Sequence, residues 1–429
     1  MQKEDKRILR IKNPWVVSLT AATIFLYLFI QMTMFNVLKP ELMISFNADA
    51  EIIGFISSLY FYGNTIFLLP AGVLFDKYSA RKIIIYALLI SLIGVALCTF
   101  ATSIFMMGVG RLIIGISGGS VCFLGSMRIA ARWFPKNKLA LVTGIIVAMA
   151  MIGGMIAQLP FGLLTAAIGW RTAMQLNLTV GVILLILIIM IVYDYPPGKR
   201  QEYLQQMKHD KNSKLITGLK SVITKAQNWN CSMFNTLLNM PIIILGALWG
   251  IMYLRQVLNF DLAQASTTCT VLFFGVLVGG PIFGYFSDKM QLRKPPMYIG
   301  AIMCLAAMVI LLMFADLSFI TVSILFFLIG FGSSAQIIAY PAVVESNPAA
   351  LSGSALGLAS TINIAGGAVG QPLISWVIES QWDGSKDPIS GIPLFTASNY
   401  NFAFWIMPAA IIIAVIFIRF IRETSCKGL

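Results

Sequence analysis

Apolar runs long enough to cross a bilayer as a helix, about 20 residues each, recur twelve times along this 429-residue chain. They fall at 14–38, 52–75, 83–102, 104–127, 138–165 and 172–193, and after a polar stretch at 233–257, 264–287, 296–315, 318–343, 351–378 and 402–420. The runs are continuously apolar, without the alternation of a transmembrane barrel strand, so they read as helices that satisfy their own backbone in lipid. With 58% hydrophobic and 11% charged residues, the chain has too little polar side chain to cover a water-facing surface of its size. The expected fold is therefore an all-α membrane protein of twelve transmembrane helices, spans one to twelve.

Lys and Arg set its orientation. With the N-terminus in the cytoplasm, 25 of the 30 basic residues fall in the tails and the even-numbered loops. Four lie on the opposite side (Lys39, Arg171, Arg255 and Lys386), and Arg111 alone lies inside a span. That asymmetry predicts both termini inside. The first run is too long for a signal-peptide core and is read as an uncleaved span. No Asn-x-Ser/Thr sequon falls in an outside loop, which favours a bacterial inner membrane. The net charge of +13 sits in short loops between spans, so nucleic acid is a poor partner for it. Cys98, Cys122, Cys231, Cys269 and Cys304 fall in or beside apolar runs without CxxC spacing and read as free core thiols. His209 stands alone in a polar linker, so neither a metal site nor a buried catalytic base is expected, and no cofactor.

The chain repeats itself. Gly72, Asp76, Lys77, Arg81 and Lys82 after span two recur after span eight as Gly284, Asp288, Lys289, Arg293 and Lys294, all at one offset of 212 residues. Gly144, Gly153, Gly154 and Gln158 in span five recur in span eleven as Gly357, Gly366, Gly367 and Gln371, at an offset of 213. Two separate matches at nearly one offset indicate a duplicated six-helix unit in parallel orientation. The expected organisation is an N-terminal bundle over 1–193, a cytoplasmic linker over 194–230 and a C-terminal bundle over 231–429. Within the linker, Leu215, Leu219, Val222 and Ile223 mark one apolar face of a helix lying on the membrane surface.

The loop G-x-L-x-D-[KR]-x-x-x-R-K between spans two and three, its repeat after span eight, and Arg111-x-x-x-Gly115 in span four resemble motifs of the major facilitator superfamily. The glycine-rich stretch ending in Pro160-Phe-Gly162 is similar to a third. Ser79 stands where the family loop usually carries Gly. The segments Leu38-Lys-Pro-Glu41, Phe61-Tyr-Gly-Asn64 and Leu69-Pro-Ala-Gly72 resemble a bacterial branch that contains amino-acid importers. The resemblance implies two six-helix bundles that rock about a central site, lined mainly by spans one, four, seven and ten. It makes Gly72, Asp76, Lys77, Arg81, Lys82, Gly284, Asp288, Lys289, Arg293, Lys294 and Glu345 a gating latch on the cytoplasmic side. There Glu345 is placed to pair with Arg293 or Lys294, while its first-half counterpart is Arg132, of opposite charge.

Polar residues on the lining spans are the candidate substrate ligands: Tyr27, Gln31 and Asn36; Tyr60 and Asn64; Gln158; Asn239, Trp249 and Tyr253; Gln336 and Tyr340; and Asn363. Interhelical hydrogen bonding is the competing role for each. Arg111 is a functional candidate as an intramembrane charge, and Arg255 as a cation at the outer mouth. No Asp or Glu lies in the middle of a span, so a carboxylate proton relay at the midplane is not expected. The reading is a secondary transporter, not an enzyme, that moves a small polar organic solute by alternating access as a monomer; protons are the first candidate for a coupling ion, with proton symport, exchange and facilitated diffusion all left open. Amino acids or similar carboxylates rank first, organic anions including carboxylate siderophores second, and drug efflux third. A non-transporting sensor with the same fold is the alternative of another class.

Overall fold

The computed structural model describes residues 13–135, 139–196, 215–314, 316–348, 351–388 and 391–425. Eleven of its helices are long and apolar enough to cross a membrane. A further helix, Ala50–Lys77, has 28 residues and supplies the second span. Among the described residues the one β pairing is a bridge between Lys386 and Pro393, in the loop before span twelve. The face carrying Asn13, Ser425 and the basic loops is termed inner, and the opposite face outer.

Local chemistry explains where helices begin. Asn13 accepts from the backbone N–H of Trp15 with Pro14 at the first helical position. Ser103 and Ser318 cap spans four and ten in the same way. Asp261 and Thr396 form capping boxes at spans eight and twelve. Ser79 caps span three from an ordinary extended conformation (φ −63°), so the loop works there without glycine.

Four repeat-related spans are interrupted near their middle. Span one runs as Pro14–Thr33 and Phe35–Phe46, and span four as Ile104–Ile116 and Gly119–Trp133. Span seven passes from α-helix (Ala226–Pro241) through a π-helical stretch (Ile242–Trp249) to Gly250–Gln256. Span ten carries a 3₁₀ stretch, Ser334–Ile338, between Phe319–Ser333 and Ala339–Glu345. Such breaks free backbone carbonyls, which lipid cannot satisfy, so they persist only where protein or a cavity covers them. Span twelve also breaks, at Trp405.

The duplicated glycines have matching jobs. Gly153 packs on the Leu26 backbone of span one, and Gly366 on Thr236 of span seven, each within its own set of six helices. Their neighbours face across: Gly154 admits the ring of Phe273 from span eight, and Gly367 the ring of Phe61 from span two. Phe61 and Phe273 are themselves 212 residues apart. Spans five and eight therefore meet as spans eleven and two do, through small residues that allow close approach. Ser375 against Gly54 and Ser266 against Gly162 extend these contacts toward the outer face. On the inner side, a side-chain carbon at Gly144, Gly353 or Gly357 would meet open space. The two sets of helices thus close on each other toward the outer face, whereas a side-chain carbon at these glycines near the inner one would have no neighbour within 4 Å.

The linker contributes a helix, Leu215–Thr224, that lies against the inner end of span eleven. Val222 is buried and Lys220 exposed. His209 and the side chains of Leu215 and Leu219 lie outside the described residues.

Candidate functional site

The outer closure is built on Asn36, just past the break in span one. Its Nδ2 donates to Gln158 Oε1 (2.8 Å) and to the Leu245 and Gly246 carbonyls (3.0 and 3.2 Å), while its Oδ1 accepts from Ile251 N (3.1 Å). Gln158 adds a bond from Nε2 to the Gly246 carbonyl (3.0 Å) and another to that of Thr33 (3.3 Å). The π-helical stretch of span seven frees these carbonyls, and two amides from the first six helices take them up. Gln371, the repeat mate of Gln158, donates to the Ile243 carbonyl of span seven in its own set of helices (3.3 Å). Further out, Glu379 of span eleven accepts from Ala50 N at the start of span two (3.0 Å), a carboxylate on a helix N-terminus. Toward the outer end of spans one, five, seven and eight lies a cavity of about 200 Å³ whose lining includes Glu41, Thr165 and Arg255. Arg255 is exposed, whereas Lys39, the other cation at this end, is completely buried.

A second polar cluster lies at mid-depth. Gln336 Nε2 donates to Asn239 Oδ1 (2.9 Å), and Asn239 Nδ2 donates to Asn363 Oδ1 (3.2 Å), joining spans seven, ten and eleven. Gln336 Oε1 keeps no partner. Asn239, Asn363 and Tyr340, one turn inward of Gln336, are half-buried. This cluster can offer amide donors and acceptors to a polar solute, and it carries no fixed charge.

Other candidates hold helices together. Tyr27 Oη donates to the Asn177 carbonyl (3.2 Å) and Gln31 to its side chain (3.2 Å), both within the first six helices. Tyr60 and Asn64 are buried where span four crosses span two, with Gly115 on the Tyr60 backbone and Gly118 on the Asn64 amide. Trp249 and Tyr253 stack into a cluster with Tyr400, and Trp249 Nε1 donates to Ser375 (3.0 Å). Arg111 is fully buried and donates to the carbonyls of Gln31 (2.6 Å) and Ser57 (3.1 Å). Its guanidinium stacks 4.1 Å from the centroid of Phe35. Backbone dipoles rather than a carboxylate stabilise this charge.

On the inner face the ion pairs given by the described residues stay within one set of six helices. Arg293 binds Glu345 (2.5 Å) and Asp288 (2.7 Å). Arg132 binds Asp194 (2.8 Å). Asp194 also accepts from Ser79 and from Arg81 N (3.2 Å), while Arg81 reaches the Ile189 carbonyl (2.6 Å). In the second set Glu423 accepts from the backbone N–H of Arg293 and Lys294 (2.7 and 2.9 Å). Asp194 and Glu423 are the first acids after spans six and twelve, and each returns to the start of its third helix. Lys289 lies near the Tyr285 ring, and Gly284 faces open space. Lys82 donates its backbone N–H to Ser79 (3.2 Å). The side chains of Asp76 and Lys77, and the surroundings of Gly72, lie outside the described residues.

The fold and these sites define a transporter with its two six-helix sets closed at one face. A sequence profile of the Major Facilitator Superfamily matches residues 20–370 and 231–425, and the chain belongs to that superfamily. It is a membrane transporter and not an enzyme. It is 22% identical over 309 residues, 65% of this chain and 68% of the other, to the uncharacterised transporter YybO of Bacillus subtilis. It is 26% identical over 229 residues, about half of either chain (52% of each), to the sialic acid transporter NanX of Escherichia coli. Among solved structures, a bacterial homologue of the human lysosomal transporter Spinster, inward-facing and unoccupied, superposes with a TM-score of 0.75 over 96% of this chain and 97% of that one, at 15% identity. A D-xylose–proton symporter does so with a TM-score of 0.75 over 97% and 99%, at 16% identity. These structural likenesses establish the fold alone.

Proposed function

We propose that the chain is a secondary transporter that carries a small, polar, carboxylate-bearing organic solute across a bacterial inner membrane. Both termini are cytoplasmic, so the open side faces the cytoplasm, and the bundles 1–193 and 231–429 rock about the amide cluster as one monomer. The linker helix tethers the bundles at the membrane surface. Amino acids rank first and acidic sugars next, with protons as the coupling ion.

The observation that supports a polar solute is the Asn239–Gln336–Asn363 cluster, while its carboxylate rests on the resemblance to amino-acid importers and on the likeness to a sialic acid transporter. Three amides from three interrupted or glycine-rich spans meet at mid-depth, one oxygen is left over, and the nearest outer contacts are closed. A drug-sized cation would want an apolar or anionic pocket, and this cluster is neither. Tyr340 completes the cluster as a further solute contact. The remaining candidates, Tyr27, Gln31, Asn36, Tyr60, Asn64, Arg111, Gln158, Trp249, Tyr253 and Arg255, act on the solute by shaping and closing the path to it. The inner residues Arg81, Lys82, Asp288, Arg293, Lys294 and Glu345, with Gly72, Asp76, Lys77, Gly284 and Lys289, form the latch that reassembles when the inner face closes.

The similarity to a sialic acid transporter supports a carboxylated and hydroxylated solute as the second reading. Counterflow into proteoliposomes with amino acids, sialic acid, di- and tricarboxylates and siderophores separates the two. Exchange of amino acids that Asn239→Leu abolishes is the expected result. Exchange of acidic sugars alone selects the second reading, and specific solute binding without any exchange would instead indicate a sensor.

A further inference from the structure

One charged group is not used by the solute path. Lys39 lies in the outer part of span one, three residues beyond Asn36 and on the same seam. Its side chain is completely buried, and its ammonium has no hydrogen-bond acceptor. Nζ lies 2.7 Å from the centroid of the Trp249 ring. The indole N–H of that ring is already donated to Ser375. Lys39 cannot snorkel to water from there, and an aromatic face returns only part of what is lost when an ammonium is stripped of its hydration.

Charged and titratable groups lie around it on several elements, with Tyr253 and Arg255 on the adjoining outer part of span seven. Glu379 of span eleven, four residues beyond Ser375, acts on Lys39 through space. Its carboxylate is committed to Ala50 N, and Asp49 and Glu51 at the start of span two act on it in turn. Tyr400 stacks behind Trp249 at 5.7 Å. Glu41, on the helix of Lys39 itself, accepts from Trp170 N (3.2 Å). None of these offers an acceptor atom to Nζ.

The seam runs between Lys39 on one side and Trp249, Ser375 and Glu379 on the other. We infer that Lys39 is the titrating residue of the outer gate: the closed seam holds the neutral amine, and the open seam holds the hydrated ammonium. On closing, the N–H proton passes to outer water; on opening, Nζ takes one back, and no other covalent bond changes. Acid outside therefore favours the open gate and alkali the closed one. For one proton the open-to-closed ratio changes by at most about tenfold per pH unit. This inference rests on the alternating-access reading, but it concerns the gate and not the solute.

The test places spin labels on the outer rims through Ile44→Cys and Asp383→Cys, both exposed and one on each side of the seam, and measures their distance in nanodiscs without solute. With Lys39 present, the population is expected to move to longer distances as pH falls from about 9 to about 6. Lys39→Met keeps the packing without the charge and should stay short at every pH. Lys39→Arg keeps a charge that does not titrate and should stay long. The same pH response in Lys39→Met, a closed Lys39→Arg, or no response with Lys39 itself would each overturn the inference. None of these results depends on which solute is carried, so the transport reading stands or falls separately.

Discussion

Asn36→Ala removes the centre of the outer closure, and its effect can be worked from the bonds. The amide has two donor hydrogens shared among Gln158 Oε1 and the Leu245 and Gly246 carbonyls, and one oxygen that accepts from Ile251 N. Three of these four contacts cross to span seven. When the gate opens, the same groups meet water, so each counts at its net value of about 1 kcal/mol and not at its gross strength. Losing two to three of them should favour the open gate by about 2–3 kcal/mol, or roughly 30- to 150-fold in population. Cys269 reports this directly, because it is completely buried and its Sγ lies 3.6 Å from Asn36 Nδ2. A membrane-impermeant maleimide applied from outside should label Cys269 faster by that factor in the variant. Cys98, Cys122 and Cys304, buried away from this seam, serve as internal controls. An unchanged rate at Cys269 would refute the reasoning, and equal acceleration at all four would show general loosening instead of gating.

The other buried contacts make further predictions. Arg111→Met should lower stability by about 2–4 kcal/mol, since two charge-assisted bonds to carbonyls are lost while the cost of burying the charge is relieved; thermal unfolding in detergent measures it, and solute affinity of the folded fraction should not change. Asp194→Asn should cost about 1–2 kcal/mol by weakening both the Arg132 pair and the span-three cap, read in the same assay. Gly115→Ala and Gly330→Ala should each cost about 1–3 kcal/mol by overpacking, because a Cβ would collide with the Tyr60 and Leu272 carbonyls; a variant as stable as the parent would refute the close approach. Asn239→Leu should abolish solute-induced thermal stabilisation, and the loss of its two hydrogen bonds should cost the empty protein about 1–2 kcal/mol.

The spans were legible because lipid forces each crossing to be one long apolar helix, and the pattern needs no partner to interpret. The duplication was legible too, and Gly154 with Phe273 and Gly367 with Phe61 show what the repeated glycines serve. Side-chain direction was harder to read. A wheel of 3.6 residues per turn puts Asn239, Trp249 and Tyr253 near one face, but the π-helical stretch between them shifts the register and turns the aromatics toward Tyr400. Lys39 reads as an outer flanking charge because the apolar run ends at 38; the helix nevertheless continues to Phe46 and carries Lys39 into the seam. Asp194, Glu423 and Asn177 carry no local signature of their roles, because their partners lie far along the chain. The signal for the two acids was their position as the first carboxylate after the last apolar run of each half.

The most direct test of the central claim uses Asn363→Cys, at the middle of the path, labelled by an impermeant thiol reagent in right-side-out and in inverted vesicles. Alternating access about the amide cluster predicts labelling from both sides. Labelling from the inner side only, whatever solute or pH is applied, would contradict it and leave a one-sided receptor.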